Sequence, residues 1–425
     1  MGTIPDLPDT CDLGRGYEGR EFNYPYDNAG LGTMAVDWEE RIDVKRMREE
    51  RLAKAKNAVK DAGVDALFLF RLENVKYLTG YRVHDWPMIF FGLASSLLIN
   101  GEDPYVFTMD VDHAKLRMPW CADRTMEECG GSLETVDGVR NWVDKVKELM
   151  GSSGIKEPEK IGVDAWNQAL MEELPRQFPK TKFVDGQYIM LEARKCKTMD
   201  EINMLKLAAN VTAAGFAAGL QMLKPGVREC EVLGAIWGKF TGLGSEWTQC
   251  ANIVCSGPYT APYRRFTSDR LIEHGDLVII DVGARVNGYY GDFTRVYVCG
   301  ETAKPTPRQI DLHVQAREAM LRAEEAIKPG ALTTDVYNAC GEENVLGGIL
   351  GHGLGLASAE PPYIVPEYMV PRKKAYVLEP GMVFSIEPYV GEPGIGGIRL
   401  EDNVVVTDNG MDVISRFPYD NRLLR

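Results

Sequence analysis

The stretch IIDVGARVNGYYGDFTR, residues 279–295, decides how the second half of this chain folds. It continues an apolar run, LVIIDV, that is interrupted only by Asp281, and short runs of this kind are typical of buried strands. Asn287-Gly288 is a two-residue hairpin signal, after which the chain returns through two tyrosines to Asp292 and a second apolar run. The stretch therefore predicts a hairpin that holds Asp281 and Asp292 close together.

Three later segments each place a metal-ligand residue in a strand-like or glycine-rich setting. They are GHGLGL with His352, VFSIEP with Glu387, and GIRLEDNVVVT with Glu401. Four carboxylates with one imidazole suit Mn, Fe, Co or Zn, and shared carboxylates can hold two such ions about 3.5–4 Å apart. We therefore predict a dinuclear metal site with the ligands Asp281, Asp292, His352, Glu387 and Glu401.

The ordered set carries more weight than any single residue, because one acidic residue at the end of a strand is usually a turn or cap residue. The remaining histidines have no comparable acidic setting. This holds for His84 and His113, while His313 falls on a polar helix and His274 precedes a Gly-Asp turn. We expect His274 and His313 to be exposed to solvent.

The four stretches resemble the pita-bread metalloenzymes, a family that includes aminopeptidase P, prolidase, methionine aminopeptidase, creatinase and a dimethylsulfoniopropionate lyase. The likeness runs from about residue 45 to the C-terminus. It implies the α/β (α+β) fold class, with an N-terminal creatinase-like α/β domain before a C-terminal pita-bread catalytic domain that has pseudo-twofold symmetry. No ligand of the family is missing, so the resemblance also implies a metal-bound member with the five ligands named above.

Two histidines that peptidases of this family carry outside the metal shell are absent. The position seven residues after His352 is Ala359, and the segment 256–266 has no histidine. Such histidines hydrogen-bond the substrate carbonyl and the oxyanion that develops from it, and losing one donor typically costs about 2.7–4 kcal/mol of transition-state stabilisation. Either the substrate differs from that of the peptidases, or another donor such as Tyr263 or Arg264 substitutes.

Other stretches, such as SGPYTAPY, are closer to the lyase than to the peptidases. The lyase, however, has an Asp-x-Asp pair at the first ligand, where this chain has Asp281-Val282-Gly283, and it has a catalytic carboxylate at the position of Ser358. Proton abstraction from carbon needs a base, and a serine without an activator is too weak. Glu360 lies nearby in sequence and is the candidate catalytic base for that chemistry.

Three functions are compatible with these features. The first is a metal-dependent hydrolase that cleaves a C–N bond in a small peptide of the Xaa-Pro type or in a small amide, with Glu387 bridging the metals and taking a proton from the attacking water. The second is a non-peptidase lyase of the dimethylsulfoniopropionate lyase type that acts on a small zwitterion. The third, a non-catalytic pita-bread binding protein, is disfavoured because four close carboxylates without a cation would repel one another.

The predicted organisation is an extended arm over residues 1–42, a creatinase-type domain over 43–190 and the catalytic domain over 191–425. The arm is rich in Gly, Pro, Asp and Asn, and such an arm often wraps a partner subunit. In this family the loop that here spans residues 81–88 can reach the active site of the other subunit. The resemblance therefore implies a homodimer, in which the predicted substrate-binding residues are His84, Trp86, Arg264 and Arg399.

Composition excludes several classes of protein. The chain has 425 residues, 45% of them hydrophobic, and its net charge of −14 argues against nucleic acid or an anionic membrane surface as the main partner. No apolar run approaches the roughly 20 residues of a membrane span, and the N-terminus has no leader pattern, so we expect a cytoplasmic enzyme. Nine cysteines without CxxC spacing predict free thiols rather than disulfides.

Overall fold

The computed structural model describes residues 42–81, 91–92, 94–127, 132–248, 252–263 and 265–424. Residues 1–41 of the predicted arm lie outside the described residues, as do His84, Trp86 and Arg264. The expectations for these positions therefore stay predictions. None of the helices in the described part of the chain combines the length and the apolar composition that crossing a bilayer requires.

The first half of the structure is a six-stranded mixed sheet with helices on both faces. Its strands are β1 (Ala66–Leu69), β2 (Ala94–Ile99), β3 (Tyr105–Thr108), β4 (Thr125–Glu127), β5 (Lys160–Val163) and β6 (Lys182–Asp185). Its helices are α1 (Val44–Ala62), α2 (Leu72–Thr79), α3 (Val111–Arg117), α4 (Val136–Ser152), α5 (Gln168–Gln177) and α6 (Gly186–Arg194). The strand order is β4-β3-β2-β1-β5-β6, and β1 pairs antiparallel with β2 but parallel with β5.

Both faces of this sheet are buried. Successive side chains of β1 point to opposite faces and therefore enter different cores. Leu67 and Leu69 belong to the core that also contains Val59 of α1. Phe68 belongs to the opposite core, where its ring meets the ring of Trp142 in α4 edge to face at 5.0 Å between centroids. The apolar run of β1 thus reflects a strand covered by helices on both sides.

The second half contains four α-helices and thirteen strands among the described residues. Its helices are α7 (Met199–Met222), α8 (Glu229–Gly242), α9 (Pro307–Ala326) and α10 (Thr333–Cys340). Its strands are β7 (Trp247–Thr248), β8 (Ile253–Ser256), β9 (Leu277–Val282), β10 (Ala284–Val286), β11 (Tyr289–Tyr290), β12 (Phe293–Val298), β13 (Gly351–Gly353), β14 (Glu360–Ile364), β15 (Val383–Ile386), β16 (Tyr389–Glu392), β17 (Gly396–Arg399), β18 (Asp402–Val406) and β19 (Met411–Val413).

These strands form four sheets flanked by two helix pairs. The strand orders are β11-β10-β7, β12-β9-β8, β14-β13-β15-β18-β19 and β16-β17. Helix α7 packs against α8, and α9 packs against α10. Two helix pairs around a central set of sheets agree with the expected α/β architecture of a creatinase-like domain followed by a pita-bread domain.

The hairpin predicted from residues 279–295 is confirmed. β9 and β12 pair antiparallel, with Asp281 opposite Thr294, and β10 and β11 form the tip. Asn287 and Gly288 at the turn both have positive φ, 51° and 83°, which is the backbone geometry that an Asn-Gly turn supplies. The turn chemistry therefore sets the register that brings the two acidic segments together.

Buried polar contacts join the two halves. Arg51 of α1 donates to the hydroxyl of Tyr289 at 2.9 Å, and that hydroxyl donates to Glu201 of α7 at 3.0 Å. Arg46 of α1 forms an ion pair with Asp200 at 2.8 Å. Helix α1 is thus held against the catalytic half, and the domain division near residue 190 stays a prediction.

His313 is fully buried, so the expectation that it is exposed was wrong, whereas His274 is exposed as expected. Helix α9 looks polar in sequence, but it packs against β16, β17 and the C-terminal segment. The imidazole meets the edge of the Tyr419 ring at 5.9 Å between centroids, and within the described structure neither ring nitrogen makes a hydrogen bond. Burial, aided by Arg317 and opposed by Asp420, lowers the pKa of His313 to about 4.

We expect His313 to make the fold sensitive to acid. Its pKa in the folded chain lies below the value of about 6.5 in an unfolded chain, so its contribution is present above pH 6.5 and is lost as the pH falls towards 4. The free energy of unfolding can be measured in urea at pH 7 and at pH 4.5. Between these two pH values it should fall by about 2–3 kcal/mol less in His313→Phe than in the wild type.

The exposed His274 provides the matched control, since His274→Phe should lose as much stability as the wild type. Equal losses in the wild type and in His313→Phe would contradict the role given to the buried imidazole.

Candidate metal centre

One hairpin, two strand ends and the short strand β13 carry the predicted ligands. Asp281 lies within β9, and Asp292 directly precedes β12. Glu387 directly follows β15, Glu401 directly precedes β18, and these two strands pair so that Ile386 faces Asp402. The Glu401 amide donates to the carbonyl of Thr294 at 3.1 Å, which ties β18 to the hairpin.

His352 reaches the same point from β13, where glycine neighbours allow close strand packing. A Cβ at Gly351 would collide with the carbonyl oxygen of Ser385 in β15, and a Cβ at Gly355 would collide with the carboxylate of Glu360. The glycines of GHGLGL are therefore required by the neighbouring β15 and β14 segments. They allow β13 to place the imidazole beside the acidic residues.

The ligand atoms of Asp292, His352 and Glu401 all lie within 4.8 Å of one another. The Nε2 atom of His352 is 3.8 Å from Oδ2 of Asp292 and 3.8 Å from Oε1 of Glu387. The three acidic residues are buried, and the imidazole remains partly accessible. A group of this kind can hold a divalent cation that is reached from one side.

Asp281 is linked to this group by Arg399 and Tyr263. The Tyr263 hydroxyl donates to Oδ2 of Asp281 at 2.6 Å. The buried Arg399 guanidinium lies with Nε 3.5 Å from the same Oδ2, and its Nη2 contacts Oε2 of Glu387. Burial opposes a charge on Arg399, but Asp281 and the other acidic residues raise its pKa above the usual value. Arg399, predicted to bind substrate, is thus engaged with two predicted ligands.

The donor set fits a cation better than it fits an empty site. Glu401 accepts a hydrogen bond from Thr294 on Oε2 at 2.7 Å, while its buried Oε1 accepts none within the described structure. With only protein charges around it, burial and the neighbouring Asp281 raise the pKa of Glu401 to about 8. Buried carboxylate oxygens that accept no hydrogen bond are typical ligands of divalent metals. Arg399 alone does not balance four carboxylates.

Residues that sequence analysis did not single out hold the ligands in place. Arg295 donates to the carbonyl of Glu401 at 2.7 Å and pairs with Asp402 at 2.8 Å. The side chain of Asn403 accepts from the amide of Asp292 at 3.1 Å and donates to its carbonyl. Both residues lie inside the stretches that carry the predicted ligands. Their position next to these ligands in the sequence is the signal that could have identified them.

Glu360 lies in a different environment from the one its predicted catalytic role requires. Its carboxylate contacts Arg194 and pairs with Lys197 at 2.9 Å, and all three side chains are buried. Burial opposes ionisation, but the two cations outweigh it and lower the pKa of Glu360. Because each oxygen of Glu360 is held by one cation, neither is left to take a proton from a substrate, and the geometry supports a structural role for Glu360.

Comparison with known protein families agrees with this architecture. Residues 203–408 match the model of metallopeptidase family M24, and residues 51–196 match the model of the creatinase/prolidase N-terminal domain. The fold and the acidic site thus define a two-domain metalloenzyme. The chain belongs to the pita-bread family of aminopeptidase P and prolidase. The predictions of the family, of the fold class and of a metallohydrolase-type enzyme are confirmed.

Individual relatives match most of this chain. An uncharacterized peptidase, YqhT, of Bacillus subtilis is 29% identical over 87% of this chain and 99% of its own. An Xaa-Pro dipeptidase of Pyrococcus furiosus is 28% identical over 85% of this chain and 96% of its own. The solved structure of an Xaa-Pro dipeptidase from Bacillus anthracis superimposes with a TM-score of 0.73 at 25% identity, over 88% of this chain and 99% of that one.

Removing one ligand should remove the metal. We expect Asp292→Asn and His352→Ala each to abolish bound metal and turnover while the fold survives, because the remaining ligands cannot complete the coordination sphere. Metal analysis of the purified variants, with circular dichroism to monitor folding, measures both effects.

His274→Ala removes an exposed imidazole elsewhere and should keep the metal content of the wild type. Full metal content and activity in either ligand variant would show that the ligand assignment is incorrect.

Proposed function

We propose that this protein is a metal-dependent hydrolase that cleaves a C–N bond in a small peptide, with Xaa-Pro dipeptides as the first substrate class to test. The observation that carries the proposal is the buried convergence of Asp292, His352 and Glu401 within 4.8 Å, beside Glu387. The names of the Pyrococcus furiosus and Bacillus anthracis relatives, both Xaa-Pro dipeptidases, support the choice of substrate.

We propose two divalent ions, of Mn, Fe, Co or Zn, as the cofactor. The residues that would hold them are Asp281, Asp292, His352, Glu387 and Glu401. Bound ions would supply Lewis-acid polarisation of the scissile carbonyl. The carboxylates and the imidazole would fix their position, and the surrounding burial would keep bulk water from weakening these interactions.

Glu387 is the proposed general base. Its Oε1 lies 3.8 Å from the imidazole of His352, while Oε2 contacts the Arg399 guanidinium. Since Arg399 engages Oε2, Oε1 is the oxygen that could accept a proton from the attacking water. The Tyr263 hydroxyl donates to Asp281, so we propose that Tyr263 orients this ligand. Burial, and to a smaller extent the charge of Asp281, raises the pKa of Tyr263, so the hydroxyl keeps its proton and remains a donor.

The lyase alternative has less support. Its candidate base, Glu360, is neutralised by Arg194 and Lys197. No other observation among the described residues favours proton abstraction from carbon over hydrolysis.

The proposal extends to the organisation of the protein. We retain a creatinase-type domain over residues 43–190, a catalytic domain over 191–425 and a cytoplasmic homodimer. In that dimer the arm would wrap the partner subunit, and the loop containing His84 and Trp86 would complete the partner's substrate pocket. Arg264 and Arg399 remain the proposed substrate contacts from the same chain.

A panel of dipeptides, supplied with Mn, Fe, Co and Zn separately, tests the reaction. We expect release of the C-terminal amino acid from Xaa-Pro dipeptides with at least one of these ions. Because Glu387→Gln removes the base, it should lower turnover by roughly 10²–10⁴-fold. Elimination from dimethylsulfoniopropionate without any hydrolysis of a C–N bond would overturn the proposal in favour of the lyase.

Restoring one missing imidazole should strengthen peptidase action. Ala359 is exposed, so Ala359→His has room for the new side chain. If the missing donor limits the rate, cleavage of an Xaa-Pro dipeptide should rise by up to about 100-fold. Ala357→His places the same side chain two residues away and should give no gain. An unchanged rate in Ala359→His would point to a different substrate class.

A further inference from the structure

A single buried carboxylate organises the segment that carries Tyr263. Glu229, the first residue of α8, is fully buried. Its Oε1 accepts from the amide of Ser256 at 2.9 Å and from the hydroxyl of Ser256 at 2.7 Å. Its Oε2 accepts from the amide of Ser268 at 3.0 Å and from the hydroxyl of Ser268 at 2.8 Å. Arg265 Nη2 lies 2.5 Å and 2.8 Å from the two oxygens.

The two serines mark the ends of one segment, residues 256–268, of which the structure describes all but residue 264. Each end is bound to one oxygen of the same carboxylate, and Arg265 from within the segment bridges both oxygens. A buried carboxylate costs free energy unless its oxygens are well provided with donors, and here both are. The segment is therefore closed into a loop by Glu229.

The closed loop presents Tyr263 to the metal centre. The Tyr263 hydroxyl donates to Oδ2 of Asp281 at 2.6 Å, and its ring stacks on the ring of Tyr389 at 5.8 Å between centroids. Tyr389 in turn donates to the carbonyl of Thr260 inside the loop at 2.8 Å. The hydrogen bond to Asp281 therefore depends on where the loop is held.

We infer that Glu229 is a positioning residue for the metal centre, which acts by clamping both ends of the 256–268 loop so that Tyr263 stays on Asp281. The inference rests on the proposed function, because it takes Asp281 to be a metal ligand. Groups that orient metal ligands typically change metal affinity by 10- to 100-fold when they are removed. An acidic residue in the first turn of α8 could also serve the helix alone, and the test must separate these two roles.

Glu229→Gln is the first variant, because it preserves shape but replaces one oxygen with an NH₂ group. This group faces the donors of Ser256 or Ser268, whichever way the amide turns, so one end of the loop is released. We expect calorimetric titration of the metal-free full chain with Co²⁺ to show an affinity roughly 10-fold or more below that of the wild type.

Glu173→Gln is the matched control. Glu173 is also buried and bound by two arginines, Arg140 and Arg176, but it lies in α5 of the N-terminal half. Its loss should leave the Co²⁺ affinity unchanged. A role of Glu229 in general stability alone would make the two variants behave alike.

Tyr263→Phe separates a positioning role from a merely structural one. If Glu229 acts through Tyr263, the two changes share one effect, so Glu229→Gln should lower Co²⁺ affinity little further in the Tyr263→Phe background. Additive losses, or an affinity of Glu229→Gln equal to that of the wild type, would overturn the inference. A wild type that binds no Co²⁺ would instead contradict the proposed function.

Ser268→Ala decides the matter if Glu229→Gln does not fold. It removes one hydroxyl donor and keeps the backbone contact at 3.0 Å. We expect a smaller loss of Co²⁺ affinity, of roughly 2- to 10-fold, that again disappears in the Tyr263→Phe background. An affinity equal to that of the wild type would overturn the inference.

Discussion

The burial of four carboxylates at one site, around His352 and Arg399, is the constraint on which the rest of the structure depends. Asp281, Asp292, Glu387 and Glu401 are each at most 4% exposed. Like charges in a buried site destabilise a fold unless cations or protons compensate them. Arg399 supplies one positive charge and bridges two of these groups, so one arginine faces four carboxylates. The sheets must meet at this point for the compensation to work.

The N-terminal half reaches the same site through a buried chain of polar contacts. Asp164 accepts from Asn74 at 2.8 Å, Asn74 accepts from Arg194 at 2.7 Å, and Arg194 contacts Glu360. Glu360 packs against Gly355, in the glycine-rich segment that carries the predicted ligand His352. Burial raises the pKa of Asp164 to about 6, and the hydrogen bonds that its carboxylate accepts offset only part of this rise. The chain of contacts suggests why the two halves occur together, since the first supports a loop of the second.

Much of the fold could be predicted, as could the closeness of Asp292, His352 and Glu401, because their signals are local. The Asn287-Gly288 turn specifies its hairpin through backbone geometry alone, and each ligand lies in a short strand-like segment. His313 and Glu360 could not be assigned in this way, because burial and ion pairing depend on elements far away in sequence. Arg194, for example, lies 166 residues before Glu360. The clamp by Glu229 has the same origin, since its donors lie 27 to 39 residues further on.

The central claim is that metal ions complete the carboxylate cluster. A crystal structure with diffraction data collected at the absorption edge of the bound metal tests it most directly. The account predicts two anomalous peaks about 3.5–4 Å apart, with Glu387 between them and all five ligands in contact with one or both. An anomalous map without peaks there, from protein saturated with Mn, Fe, Co or Zn, and with Arg399 still closing the gap between Asp281 and Glu387, would contradict it.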